Sequence, residues 1–437
     1  MKNIFFLIFS ILFSSCQPTE EKNILQQLIS ENKKELGAPA NNPKKFELQI
    51  LYTQIDRNYN NTPTFTTHEF NVDKNQYFYP ASTVKMPAAF FALEKLNRIK
   101  GGFLNKYIPF RVDSTRAPQT PFAIDTTAQM GLPTMAHMVK KVFLVSDNDA
   151  HNRMYEFLGQ EYFNEELRKK KFENTKIIHR IGPSGFPFDY ETNKYTNPFI
   201  FSPSGGDTIS YSQPEAYATN PPELPPMEKL TKGKGYIVDG ELINEPKDFS
   251  RKNRFSIEDM SAMLQAIIFP EVTPEYQQFD LTEDDYQFLY KVMSMRPRES
   301  KFPKYTKEEY DSYVKFFIYG DKKGEMTNTT RIYNKVGLAY GTTTDVAYVK
   351  DRNGIEFFLT ATILTNKNEI FNDNKYEYEQ LGIPFLAALG REIYQFEKNK
   401  NYGIHFLRGE QTRTSRTSIH FLCVCRQTYT FGPISNI

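Results

Sequence analysis

Tryptophan is absent from this sequence, and histidine and cysteine are scarce, at six and three in 437 residues. The histidines stand at no metal-ligand spacing, which removes zinc-type centres from the reading, and no motif implies a cofactor. Thr231-Lys-Gly-Lys-Gly235 lacks both the spacing and the terminal Lys-Ser/Thr of a phosphate loop. No cysteine lies between Cys16 and Cys423, so the body of the chain carries no disulfide. A chain of this length can bury enough core to do without one in an oxidising compartment. Neither sign of charge is in excess: the formal net charge is +2, with no clustered basic face of the kind that nucleic acid requires. The apolar run at the N-terminus, Ile4 to Phe13, is too short to span a bilayer as a helix.

That short run has another meaning. Lys2 precedes it and Ser14-Ser15-Cys16 comes after it, the order of charge, apolar stretch and small residues that marks a targeting segment to be excluded from the fold. Small residues before a cysteine resemble a bacterial lipoprotein cleavage site, at which the cysteine becomes the new N-terminus and carries the lipid. The expectation is a signal peptide over residues 1–16 and lipidation at Cys16. It places the protein in the bacterial cell envelope, anchored to a membrane on its periplasmic side or at the cell surface.

Residues 17–42 read as a polar tether and a first helix, and the main body as residues 43–400. Phe46 to Ile55 alternates and is rich in aliphatics, a strand whose partner is Thr64 to Val72 across the turn Arg57 to Thr62. Met86 to Ile99 has a helical pattern. Pro133-Thr134 opens a helix over Met135 to Phe143, and Ala150 to Leu158 forms another, stopped by Gly159. Residues 181–254 are rich in Pro, Gly, Ser, Thr and Tyr and read as a long surface insertion, with a hairpin around Asp239-Gly240. Ser256 is a good N-cap for a helix reaching Ile268. Arg331 to Thr365 reads as three antiparallel strands turning at Gly341 and at Asn353-Gly354, and Tyr378 to Lys398 as a closing helix.

The chemistry is carried by Ser82-Thr-Val-Lys85. It puts a hydroxyl and an amine three residues apart at the head of a helix, where i and i+3 share a face. A serine is a weak nucleophile until a base takes its proton, and a lysine shielded from water can be that base. Ser146-Asp147-Asn148 and Lys335-Val336-Gly337 come later in the chain, in that order. Each motif alone is short, and each has an ordinary structural explanation as a cap, a turn or an edge-strand charge.

Together the three resemble the penicillin-recognising serine hydrolases, and most closely the class A β-lactamases and their relatives. Pro133 to Asn148 is similar to the family's helix leading into its Ser-Asp-Asn loop, and Asn334 to Val349 to its Lys-Thr-Gly strand and the hairpin after it. The resemblance covers about residues 25 to 398 outside the insertion. It implies an α/β fold in two lobes, an antiparallel sheet of about five strands flanked by helices plus a mostly helical lobe, with the active site between them. It also implies roles. Ser82 forms the acyl-enzyme, Lys85 accepts its proton, and Ser146 relays protons to the leaving nitrogen. Asn148 holds the substrate's amide side chain, Lys335 favours a substrate carboxylate, and Gly337 admits the substrate close to the strand. The N–H groups of Ser82 and Leu338 make the oxyanion hole. The partner is then a small amide or ester, a β-lactam or a muropeptide. The expected activity is β-lactam hydrolysis, with peptidoglycan D-Ala carboxypeptidase or transpeptidase chemistry and non-catalytic binding by an envelope lipoprotein as the alternatives.

Two departures stand out. Val336 replaces the family's Thr or Ser, whose hydroxyl helps to hold the substrate carboxylate; one such bond in a desolvated site is worth on the order of 1–3 kcal/mol. The loop glutamate that activates water for deacylation has no match between Thr175 and Asn193. Asp189 and Asn193 reproduce its spacing to an asparagine with a side chain one methylene shorter, and His179 reads as a hydrogen-bonded loop residue.

No lysine occurs after Lys400, and Cys423 and Cys425 appear only there, without the second ligand pair of a metal site. We expect residues 401–437 to be a frameshift or read-through product. A chain ending near Lys400 is then expected to fold and act normally, and a loss of cooperative unfolding on that truncation would remove the idea.

Overall fold

The computed structural model describes residues 23–99, 104–182, 189–203 and 208–411. Cys16, and Cys423 and Cys425 in the tail, lie outside them. The chain divides into two units, Met1–Tyr394 and Gln395–Ile437; apart from the later turns of its last helix, everything below concerns the first.

The two ends of this unit build one sheet. Strands β1 (Gln49–Arg57) and β2 (Pro63–Phe70) join β3 (Thr330–Ala339), β4 (Thr342–Asp351) and β5 (Glu356–Leu364) in the order β3-β4-β5-β1-β2. All four pairings are antiparallel, so the five strands expected from the sequence are present and β3 is an edge. The β3–β4 hairpin closes on Tyr340 and Gly341 with φ of 52° and 76°. This is the two-residue geometry whose twist matches the strands, and it places a tyrosine where glycine or asparagine is usual. The β4–β5 turn is held by Asp351, which accepts the N–H groups of Asn353 at 2.8 Å and Ile355 at 3.0 Å, with Gly354 at φ 83°.

The helices are α1 (Ile24–Glu31), α2 (Lys33–Asn41), α3 (Lys85–Arg98), α4 (Met135–Leu144), α5 (Asn148–Leu158), α6 (Gln160–Lys169), α7 (Ile257–Ile268), α8 (Glu283–Ser294) and α9 (Ile383–Gln411). Their starts reflect local chemistry. Thr134, Asp147 and Ser256 each accept an N–H from the first turn of α4, α5 and α7, the orphan donors that a helix leaves at its N-terminus. Gly159 ends α5 at φ 74°. One π turn, Tyr378–Gly382, precedes α9. Helix α3 is the axis of the helical lobe. Phe90 and Phe91 are wholly buried against Phe143 of α4, Phe163 of α6 and Phe279, in a core that also takes in Val346 and Phe358 of the sheet.

A buried polar cluster ties β3 and β4 to the chain before them. Asp345 accepts the N–H groups of Phe316 and Phe317 at 3.1 and 3.2 Å and the Asn334 amide at 2.8 Å. Asn334 in turn accepts from Lys315 at 2.6 Å. The residue next to Lys335 is thereby fixed. Residues 181–254 form short strands, among them the hairpin Gly235–Val238 and Glu241–Ile243, closed by Asp239 and Gly240 at positive φ. Ile370–Phe371 pairs with that hairpin in parallel. No helix among the described residues is long and apolar enough to cross a membrane.

Candidate active site

Ser82 does not sit inside α3 but in a 3₁₀ turn, Ala81–Val84, that leads into it. Ala81 has φ 48°, a left-handed conformation that costs a non-glycine residue about 1–3 kcal/mol and persists only where surrounding packing enforces it. The enforcement is visible: Thr83 donates both its N–H (3.1 Å) and its hydroxyl (2.7 Å) to the Pro80 carbonyl. The turn leaves Ser82 at the wall of a cavity of about 720 Å³ and sends Lys85 into the interior, where it is fully buried.

Lys85 meets the loop before α5. Its Nζ donates to the Ser146 carbonyl, to Ser146 Oγ at 3.2 Å and to Asn148 Oδ1 at 2.6 Å. Ser146 also adopts a left-handed backbone, φ 59°, which lets its carbonyl and hydroxyl face the same amine. From the other side Lys335 Nζ donates to Ser146 Oγ at 2.9 Å and to the Val336 carbonyl at 2.8 Å. One hydroxyl therefore bridges two buried amines. A serine oxygen has two acceptor positions and one proton to give; with both acceptors filled, the O–H is left to donate into the site.

Burial pushes the Lys85 ammonium down to about 7, against the opposing pull of Asp147 and Asp149. Burial also lowers Lys335 well below the usual lysine range, and the neighbouring charge of Lys85 adds to it. Near neutral pH a large fraction of Lys85 is thus a free amine, the state that a base needs. Asn148 commits its Oδ1 to Lys85, which leaves its NH₂ as a donor on the cavity wall.

Strand β3 closes the site. A Cβ on Gly337 would stand 2.5 Å from the Pro80 carbonyl and 3.0 Å from Thr83 Cγ2, so glycine here is required by the approach of the turn that carries Ser82. Val336 is buried and contributes its carbonyl to Lys335. Leu338, partly exposed, lines the cavity with Ser82. The structure therefore brings Ser82, Asn148 and Leu338 to one cavity and joins Lys85 and Lys335 at the Ser146 hydroxyl, while Gly337 faces Pro80 and Thr83, not the cavity expected to admit the substrate.

The opposite wall is where the sequence was least informative. Asn152, one turn beyond Asn148 on α5, grips the backbone of Ile181 in both directions: its Nδ2 donates to the Ile181 carbonyl at 2.8 Å and its Oδ1 accepts the Ile181 N–H at 2.9 Å. The i, i+4 spacing to Asn148 is the signal that could have marked it. Ile181 lines the cavity with an apolar side chain that can neither give nor take a proton. Asp189 lines it too, but its carboxylate accepts the Thr192 N–H and hydroxyl at 2.7 and 2.6 Å. Those bonds hold it below the usual carboxylate range, which weakens it as a base. Asn193 is buried, its amide spent on the Arg180 N–H and the Asp189 carbonyl.

His179 is a fixed neutral imidazole. Nδ1 donates to the Arg180 carbonyl at 2.6 Å, Nε2 accepts the Asn253 N–H at 3.1 Å, and burial holds its pKa down to about 3. Among the described residues no group of acidic, histidine or cysteine side chains is placed to hold a metal ion.

A family model described as the beta-lactamase enzyme family matches residues 34–396. No protein with a curated description matches the chain in sequence. Solved structures similar to it include the TLA-3 extended-spectrum beta-lactamase, at 14% identity and TM-score 0.46, covering 85% of this chain and 98% of that one. A class A beta-lactamase from Mycobacterium abscessus aligns at 11% identity and TM-score 0.44, covering 85% and 98%. A class A beta-lactamase from Bacteroides cellulosilyticus aligns at 12% identity and TM-score 0.44, covering 85% and 97%.

The Gly337 contact is open to test. Gly337→Ala forces the edge strand and the Ser82 turn apart, at a cost of about 1–3 kcal/mol for overpacking. A lowered Tm together with loss of covalent labelling at Ser82 is expected; unchanged labelling would show that the approach is not needed.

Proposed function

This chain belongs to the beta-lactamase enzyme family, and from that premise we propose that it is an acyl-transferring serine hydrolase of the cell envelope with Ser82 as nucleophile. The observation that carries the reading is the Ser146 hydroxyl shared by Lys85 and Lys335 beside a cavity-lining Ser82. Ser82 Oγ attacks the carbonyl of a small amide or ester and gives its proton to the neutral Lys85 amine. The N–H groups of Ser82 and Leu338 receive the developing oxyanion. Ser146 donates its proton to the departing nitrogen and is resupplied by the lysines on either side, so the acyl-enzyme forms with no net change of charge in the pocket. Asn148 donates to a carbonyl on the acyl portion.

A β-lactam is the substrate that this scheme suits first, since its leaving nitrogen stays tethered within reach of Ser146. The cavity wall favours a second reading of the same chemistry. Asp189 is the one carboxylate lining the cavity among the described residues, and Thr192 holds its Oδ1 and lowers its affinity for a proton. A carboxylate so weakened activates water poorly, and the acyl-enzyme is then long-lived, as in D-Ala peptidases and transpeptidases. Lipidation at Cys16 would hold the enzyme at the membrane; Cys16→Ala is expected to move it from the membrane to the soluble fraction, and continued membrane retention of that variant would remove the anchor.

Incubation with a fluorescent penicillin and a chromogenic cephalosporin tests the chemistry. Covalent label absent from Ser82→Ala is expected, with slow cephalosporin turnover. Because Lys85 titrates from an inactive ammonium to an active amine, the acylation rate is expected to rise with pH around the Lys85 midpoint of about 7. Lys85→Met is expected to slow acylation by roughly 100-fold or more, the usual contribution of a general base. Rapid turnover would favour a β-lactamase over the peptidase reading. No label, together with no Ser82-dependent esterase activity, would leave a binding protein.

A further inference from the structure

The cavity is larger than the acyl-transfer machinery needs, and much of its wall comes from elsewhere. Residues 181–254 contribute Tyr190, Arg251 and Lys252 to the same cavity that Ser82 and Asn148 line. Arg251 lies over the Tyr190 ring, with its guanidinium carbon 5.1 Å from the centroid. Among the described residues neither Arg251 nor Lys252 has a carboxylate within ion-pair distance. The acid nearest in sequence, Asp248, is engaged by the Ser250 N–H and hydroxyl at 2.7 and 2.8 Å. Arg251 is exposed and acts on the charge of Asp248, whereas Lys252 is half-buried, and burial works against its charge; an anion arriving in the cavity beside the two would offset that cost.

We propose that Arg251 and Lys252 form an anion-recognition point for a carboxylate on the acyl portion of the substrate, separate from Lys335. Lys335 is buried and already donates to Ser146 and Val336. The walls decide which side of the substrate is held. The leaving nitrogen must face Ser146. The wall of Arg251 and Lys252 adjoins instead the 179–181 segment, through the Asn253 contacts to His179, and that segment is clasped to α5 by Asn152, one turn from Asn148. An anion held there belongs to the acyl portion. The guanidinium offers a planar pair of N–H donors to a carboxylate, and the ammonium a point charge beside it. The preferred substrate is therefore an amide or ester whose acyl chain ends in a carboxylate, with room in about 720 Å³ for a drug-sized molecule.

The proposal rests on the serine acyl-transfer reading for its orientation, and the test separates the two. With the Ser82→Ala protein at low ionic strength, calorimetry compares the glutaric acid monoanilide anion with its neutral methyl ester. At least tenfold tighter binding of the anion is expected, with the preference abolished in the Arg251→Gln/Lys252→Gln double variant and weakened by added salt. Equal affinity for the two, no binding of either, or a preference that survives the double variant would overturn the site. In parallel, wild-type release of nitrophenol from p-nitrophenyl hemiglutarate reads the Ser82 chemistry. A charge preference in the binding assay without Ser82-dependent release would keep the site and remove the acyl-enzyme.

Discussion

Everything in this site hangs on a single oxygen. The Ser146 hydroxyl joins the helix that carries Lys85, the loop that leads into α5 and the edge strand that carries Lys335. Burying two amines against one hydroxyl is unfavourable while both are charged, because desolvation and mutual repulsion act in the same direction. The protein resolves the conflict by lowering the affinity of both for protons. A structure that only needed to be stable would place apolar side chains there. Here the cost yields an amine that gives up its proton around neutral pH, one turn from a serine at a cavity wall.

Holding that arrangement requires rigidity on three sides. Helix α3 sits in the middle of the largest apolar core, so Lys85 cannot swing out to water without dragging Met86, Phe90 and Phe91 with it. Strand β3 is pinned twice, by the Asp345–Asn334–Lys315 cluster beneath Lys335 and by the contact of Gly337 with Pro80 and Thr83. The loop holds Ser146 at φ 59°, with Asp147 spent as the cap of α5. The site also carries backbone strain: Ala81, Ser146 and Tyr340, three of the left-handed non-glycine residues of the chain, stand around it. Strain of this kind is repaid by packing elsewhere, and here the large aromatic core supplies it.

How much of this was legible depends on the range of the interaction. The N-caps Thr134 and Ser256, the Gly159 stop, the Asp239-Gly240 turn and the three strands after Arg331 are local, and on them sequence pattern and structure agree to within a few residues. Three short motifs in order were enough to bring Ser82 and Asn148 to one cavity, with both lysines meeting at the Ser146 hydroxyl. The reason for Gly337 was not legible in the same way. Its missing side chain makes room for a carbonyl more than 250 residues earlier, and no local pattern records that. The entry of Ser82 through a 3₁₀ turn instead of within the helix was hidden as well, since it depends on Thr83 folding back on Pro80. Tyr190, Arg251 and Lys252 looked like parts of a surface insertion, because nothing in a Pro- and Gly-rich stretch says which wall it will form.

The departures from the family pattern make physical sense together. The cavity wall beside α5 carries Ile181, clasped by Asn152, and no carboxylate there pulls on the Lys85 proton among the described residues. Replacing the hydroxyl at position 336 by valine takes away a donor for a substrate carboxylate, while the insertion brings two cations to another wall of the same cavity. On the acyl-transfer reading proposed above, both changes spare the attack of Ser82 and bear on substrate choice and deacylation. The bond-forming half of the site is held by buried side chains that leave little room for variation. The half that selects the substrate and admits water is built from loops, and loops can be replaced without disturbing the core. An acyl-transfer site can therefore keep its nucleophile and change its substrate and its rate of release.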